Sequence, residues 1–335
     1  MPHRITPPAC AHRQHGLSLI ELMISLVLGL VLVGGVLGLY LSSRETFRTH
    51  ESLARIQENG RLALELIKRE IREAGATPCG SPLTANVLVS ANATPTVWWA
   101  NTAAGFLRGG EGINNGQGVV NPNANTDSLM ILRSESEETF ITAVSDHNAA
   151  ANRLTVPASV SIREGDIALL CDGNSSALWQ VGAVTGIAPN VQITYGASPL
   201  NCSSALGSVN GQCGAPQNKT FQPGALLTQW APGLWFIQNI NGQPALFRQD
   251  RFGAEEKVRG VENMQIDYLT RDQAGVLATG WVNAANFEGN WANPAREVVA
   301  VRIALTLISD VTQAAGAGQV RRTFQSVTSV RNRLN

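Results

Sequence analysis

From Leu22 to Leu41 no residue is charged, and eight Leu, four Val and one Ile crowd the stretch. At about 1.5 Å per helical residue the run spans roughly 30 Å, one hydrocarbon core. Its apolar side chains favour membrane insertion by roughly 4–8 kcal/mol. At its N-terminal end sits one carboxylate, Glu21. An acid at mid-helix costs on the order of 3 kcal/mol, and less near the end. The segment therefore inserts in spite of Glu21, and the acid needs a reason. A secretory signal peptide, with an apolar region of about 7–15 residues and a small-residue cleavage site after it, is too short to match.

Past Leu41 the pattern turns amphipathic without a stop. Leu53, Ile56, Gly60, Ala63, Ile67, Ile71 and Ala74 recur at spacings of three and four, one buried helix face, and charged residues fill the others. Among these Glu65 and Arg69 form an i,i+4 pair of the favourable order. Gly75 followed by Pro78 reads as the helix end. A helix from 18 to 74 would run about 85 Å, so its apolar half needs a membrane or a bundle around it. Gly34-x-x-x-Gly38 fits close approach of a second helix, but glycine is also common in membrane helices, and both readings stand.

From residue 76 to 335 the texture is β-rich. Short Val/Ile/Thr/Trp-rich runs at 128–133, 139–144, 153–156, 166–171, 178–184, 191–195, 234–240 and 245–249 read as strands between Gly, Asn, Asp or Pro turns. Asn241-Gly242 is a hairpin signal. Two longer strands are expected at 258–270 and 297–309, and polar loops at 84–126, 196–224 and 273–295. Trp98, Trp99, Trp281 and Trp291 fall in or beside these loops, as anchors more readily than as exposed contacts.

Charge and cysteine content sharpen the picture. The chain has 25 basic and 25 acidic side chains, which offers no basic face for nucleic acid. Arg4 and Arg13 precede the apolar run, which points to a cytoplasmic N-terminus and to a head on the other side of the membrane. Cys79, Cys171, Cys202 and Cys213 come after the membrane run, an even set where disulfides persist. Four cysteines allow about three connectivities, and the sequence does not choose. Cys202 with Cys213, around a short polar loop, is the first pairing to expect, which leaves Cys79 with Cys171. No C-x-x-C is present, so no metal site is expected.

Gly16-Leu17-Ser18-Leu19-Ile20-Glu21 resembles the class III signal of type IV prepilins. The resemblance implies that a prepilin peptidase cuts after Gly16 and methylates the new N-terminus at Leu17, where the family more often has Phe. It implies too that Glu21 meets the α-ammonium of a neighbouring subunit. Residues 55–64 (R-I-Q-E-N-G-R-L-A-L), 260–268 (G-V-E-N-M-Q-I-D-Y) and the ending 321–334 are similar to PilW-type minor pilins, relatives of the J-type pseudopilins. The fold this implies is α+β and pilin-like, in three parts. Residues 1–16 are a cleaved leader, 17–75 a long helix with 17–41 in the membrane, and 76–335 a β-rich periplasmic or extracellular head.

The function implied is a minor pilin that primes a type IV pilus and sits near its tip, serving adhesion and twitching motility. Its partners would be the prepilin peptidase, other minor pilins, the major pilin, a tip adhesin and the inner membrane, with no nucleic acid. One alternative is a type II secretion pseudopilin; another is a membrane-anchored periplasmic enzyme. The enzyme reading has little material, since nucleophile-elbow, P-loop, dinucleotide and H-E-x-x-H motifs are all missing. No cofactor is expected. Glu135, Glu137 and Glu138, and Asp166 with Asp172, read as solvated surface charge.

Overall fold

The computed structural model describes residues 18–78, 83–88, 95–102, 104–112, 125–145, 152–196, 199–207, 217–287, 290–309 and 319–330. Its first element, α1 (Leu19–Glu73), is a single helix of 55 residues. Ser18 caps it, its Oγ accepting the Glu21 N–H at 3.4 Å. It ends where the sequence predicts. Gly75 takes a φ of +70°, and its N–H bonds the Leu132 carbonyl at 2.9 Å. The chain can turn there because glycine adopts the left-handed region without a Cβ penalty.

The strands in chain order are β1 (Ala85–Asn86), β2 (Leu107–Glu111), β3 (Asp127–Ile131), β4 (Ser134–Phe140), β5 (Arg153–Pro157), β6 (Ile167–Cys171), β7 (Ser176–Gln180) and β8 (Val184–Ile187). After them come β9 (Asn190–Thr194), β10 (Leu226–Trp230), β11 (Gly233–Ile240), β12 (Gln243–Gln249), β13 (Ala254–Arg259), β14 (Val261–Arg271), β15 (Glu297–Ile308) and β16 (Arg321–Ser329). They form four sheets, in the orders β1-β7-β6-β10-β4, β13-β12-β11-β3-β2, β14-β15-β16 and β5-β9-β8.

Alternation along the strands explains how the sheets stack. In β11, Trp235 and Ile237 pack with Ile56, Ala63, Ile67 and Ile71 of α1 and with the β14–β16 sheet. Leu234 and Phe236 of the same strand point the other way, against Leu169 and Leu178 of the β7-β6 layer. The opposite faces of β6 and β7, through Leu170 and Trp179, then meet Leu154 and Ile193 of the small sheet. A strand buried on both faces reads as a continuous apolar run, as β6 (Ile-Ala-Leu-Leu-Cys) does.

Several expectations shift. Of the strand expected at 139–144 only 139–140 form, as the end of β4, which starts at Ser134; there Thr228 Oγ1 on β10 bonds the Glu135 and Glu137 carbonyls, both at 3.0 Å. This is an edge strand facing water, so its polar residues give no apolar signal. The run 258–270 splits at Gly260 (φ +77°) into β13 and β14. The expected loop 84–126 contains β1 and β2. In β2 the glycines hide the strand, and Gly109 is there for space, since a Cβ would fall 2.0 Å from the Tyr268 hydroxyl. Strands β8, β10 and β16 are additional to those the pattern predicts. The Asn241-Gly242 hairpin forms, both residues with positive φ. Trp98, Trp99 and Trp291 are buried, as anchors should be.

Candidate functional site

The long helix divides into two environments. None of its most apolar stretch is buried within the chain, and the helix is long and apolar enough to cross a membrane. The backbone around Glu21 is fully engaged: its N–H meets Ser18 Oγ, and Ser25 Oγ donates to its carbonyl at 2.7 Å. Its side chain is exposed and makes no ion pair among the described residues. Gly34 and Gly38 have nothing within 4 Å of where a Cβ would stand. Gly16 and Leu17 lie outside the described residues.

The second environment begins at Ile56. Ile56, Gly60, Ala63, Ile67 and Ile71 are buried as the three–four spacing predicts, whereas Leu53 is half-buried. Gly60 lets the ring of Phe324 lie against the helix, with a would-be Cβ only 2.6 Å from it. On the outer faces Glu65 pairs with Lys68 at 3.0 Å, rather than with Arg69.

One acid joins this buried face, although the apolar stripe does not include it. Glu70 is 5% exposed. Its Oε2 accepts the Trp235 indole N–H at 2.6 Å, and its Oε1 accepts the Arg248 Nε–H at 2.7 Å. Trp235 and Arg248 are direct cross-strand partners on β11 and β12, so both reach the same face. Arg133 adds a contact at 3.6 Å and bridges onward to Glu73 at 3.3 Å and Glu135 at 3.2 Å. A signal for Glu70 is present in the sequence: it falls three residues after Ile67 and four before Ala74, a charge inside an apolar stripe.

Further ionisable groups are buried in the head, Arg108 and Asp127 among them. Burial lowers Arg108 to about 10, and its guanidinium donates to the Trp98 and Asn101 carbonyls. Desolvation raises Asp127 to about 6, helped by Glu111 and Asp267 and opposed by the Ile266 N–H that donates to it at 2.7 Å. Glu111 stands directly opposite Asp127 across the β2–β3 pair. Not all the acids expected to be solvated are so. Asp166 is buried and lies 3.5 Å from Arg251, and Asp172 pairs with Lys219 at 3.0 Å. Glu137 and Glu138 are exposed. Among the described residues no group of three or more His, Cys, Asp or Glu could hold a metal ion.

Cys171 and Cys202 are each disulfide-bonded. They do not suit each other. Cys171 pairs with Ser176 at one end of β7, while Asn201, beside Cys202, bonds the Gln180 backbone at the other end. Four strand residues span about 13 Å, and a disulfide needs Cα atoms within about 7 Å. Cys79 and Cys213 lie outside the described residues.

Comparison with known families matches both ends of the chain. Residues 11–37 match the prokaryotic N-terminal methylation motif, and residues 235–333 match type IV pilus-assembly protein W. No curated protein and no solved structure matches the chain. The chain thus carries the prepilin signal ahead of a helix that fits a membrane-anchored pilin, and the PilW pattern in the strands that receive that helix.

Proposed function

We infer that this chain is a minor pilin of the PilW type that primes assembly of a type IV pilus and is incorporated near its tip. A prepilin peptidase of the inner membrane would cut after Gly16 and methylate the amine of Leu17. Before assembly the protein would be a single-pass inner-membrane protein with a periplasmic head, and afterwards part of the pilus. The observation that carries this reading is Glu21, a carboxylate on an apolar helix face that the described residues leave bare. In lipid such a group is stabilised by an opposite charge, and the α-ammonium of a neighbouring pilin subunit supplies one at the right depth. Gly34 and Gly38 would let a neighbouring helix approach closely. The head would remain outside, facing other minor pilins, the major pilin and a tip adhesin.

Mass spectrometry of the mature N-terminus tests the processing step. The protein recovered from pili or from the membrane complex should begin at methylated Leu17, and Gly16→Arg should block the cut. Residues 1–16 intact on assembled protein would contradict the reading.

For the head we propose the pairs Cys202–Cys213 and Cys79–Cys171. The first closes a loop of about 12 residues, worth on the order of 3 kcal/mol; the second ties the segment after α1 to β6. Non-reducing peptide mapping that finds any other linkage would refute them.

A further inference from the structure

Among the described residues β16 is the outer strand of its sheet, paired with β15 along its whole length without a register shift. The Val330 N–H points to Val299 and the Val320 carbonyl accepts from Ser309, so even-numbered residues bond toward β15. The N–H and C=O groups of Thr323, Gln325 and Val327 therefore point outward, about 6.8 Å apart along the strand. Their residues are exposed, Val327 by 55%.

Soluble proteins blunt such edges with proline, charge or a bulge. From Thr323 to Ser329 β16 has none of these; the charge lies before that stretch, at the exposed Arg322 and at Arg321, which is forked onto Glu262 at 2.8 and 2.9 Å. The opposite edge of the sheet is treated differently. Bridges from Val282 to Tyr268 and from Leu277 to Arg271 cover part of β14.

We propose that the outer edge of β16 receives a β-strand from a different membrane-anchored subunit, so that the β14-β15-β16 sheet continues into its neighbour. A row of alternating donors and acceptors at strand spacing is satisfied along its length by another extended backbone. Geometry limits who can supply it. Two copies pairing β16 with β16 antiparallel would be related by a twofold axis normal to the sheet. Because α1 packs on the face of this sheet, through Gly60 on Phe324, that axis would reverse one helix against the other. Two anchors pointing in opposite directions do not fit one bilayer. Head-to-tail addition of identical copies would grow without closing. The donor is therefore an edge strand of another subunit. The inference rests on the pilin reading for the existence of such neighbours.

Residue-resolved hydrogen exchange on the full-length protein tests it, comparing the isolated chain in micelles with the processed chain in pili or membrane complexes. In the isolated chain the amides of Thr323, Gln325 and Val327 should exchange freely, while those of Phe324, Ser326 and Thr328 are slow. On assembly the odd-numbered set should slow by about tenfold or more. Val327→Lys should keep the unfolding midpoint of the head but lower incorporation about tenfold. Gln325→Pro, which removes an outward N–H alone, should act the same way. Odd-numbered amides that stay fast in the assembled protein would overturn the edge proposal and leave the pilin reading standing, and protection already present in the isolated chain would also overturn it. A processed chain that never enters pili or complexes would overturn the pilin reading, and this proposal with it.

Discussion

Glu21 and Glu70 lie on one helix, and the chain treats them in opposite ways. Glu70 has Trp235, Arg248 and Arg133 gathered around its carboxylate. Glu21 stands on the bare half of α1 with no ion pair among the described residues. Both are acids on apolar faces, where an unpaired charge is expensive. The difference lies in where a counter-charge is found: Glu70 has its own within the fold, Glu21 has none among the described residues, and on our proposal it comes from a neighbouring subunit. Residues 56–73 of α1 pack into the head, whereas 19–41 are bare among the described residues.

Removing the internal solution should have the largest effect. Glu70→Ala would leave Arg133 and Arg248 without their buried anion and Trp235 without its acceptor. The head should lose about 3–5 kcal/mol, the usual cost of breaking a buried pair from one side, read by denaturant unfolding in detergent. A variant within about 0.5 kcal/mol of wild type, the error of such measurements, would mean the network does not hold the helix.

Glycine substitutions probe the same divide. Gly60→Ala must push Phe324 aside, a cost of about 1–3 kcal/mol that outweighs the roughly 1 kcal/mol gained in helix propensity. Net destabilisation is expected, and Phe324→Leu in the same chain should relieve it. Gly38→Ala, with nothing near it, should leave head unfolding unchanged. Equal effects at both positions would erase the boundary between the halves.

A third carboxylate sharpens the comparison with a smaller effect. Asp127 faces Glu111 and Asp267 instead of arginines, and burial holds its carboxyl at about 6, above its unfolded value of about 4. The folded state therefore binds the proton more tightly than the unfolded state. The stability this contributes is fully present below about pH 4 and is lost as pH rises through about 6. Between about pH 4 and 6 the Asp127→Asn variant should show a flatter stability profile than wild type. An unchanged slope would contradict the assignment.

How much of this was legible in the sequence depends on the kind of signal each element carries. The helix read out almost to the residue, because an unbroken apolar run, a three–four stripe and Gly75 are local features. So did β11, β12 and the Asn241-Gly242 turn. β2 stayed hidden because its glycines serve a distant residue, Tyr268, and β4 because an edge strand in water needs no apolar alternation. Glu21 stood out against a uniform background, while Glu70 sat among other charges on an amphipathic helix. Its partners arrive from strands far along the chain, which periodicity does not reveal.

That Glu21 finds its counter-charge in another subunit is open to one direct measurement. Glu21→Gln keeps the size of the side chain and removes the charge, and pili can be collected and quantified for the incorporated protein beside the unfolding midpoint of its head. An unchanged midpoint, normal membrane insertion and a marked loss of incorporation are expected. Incorporation of the Gln variant at the wild-type level would contradict the pairing.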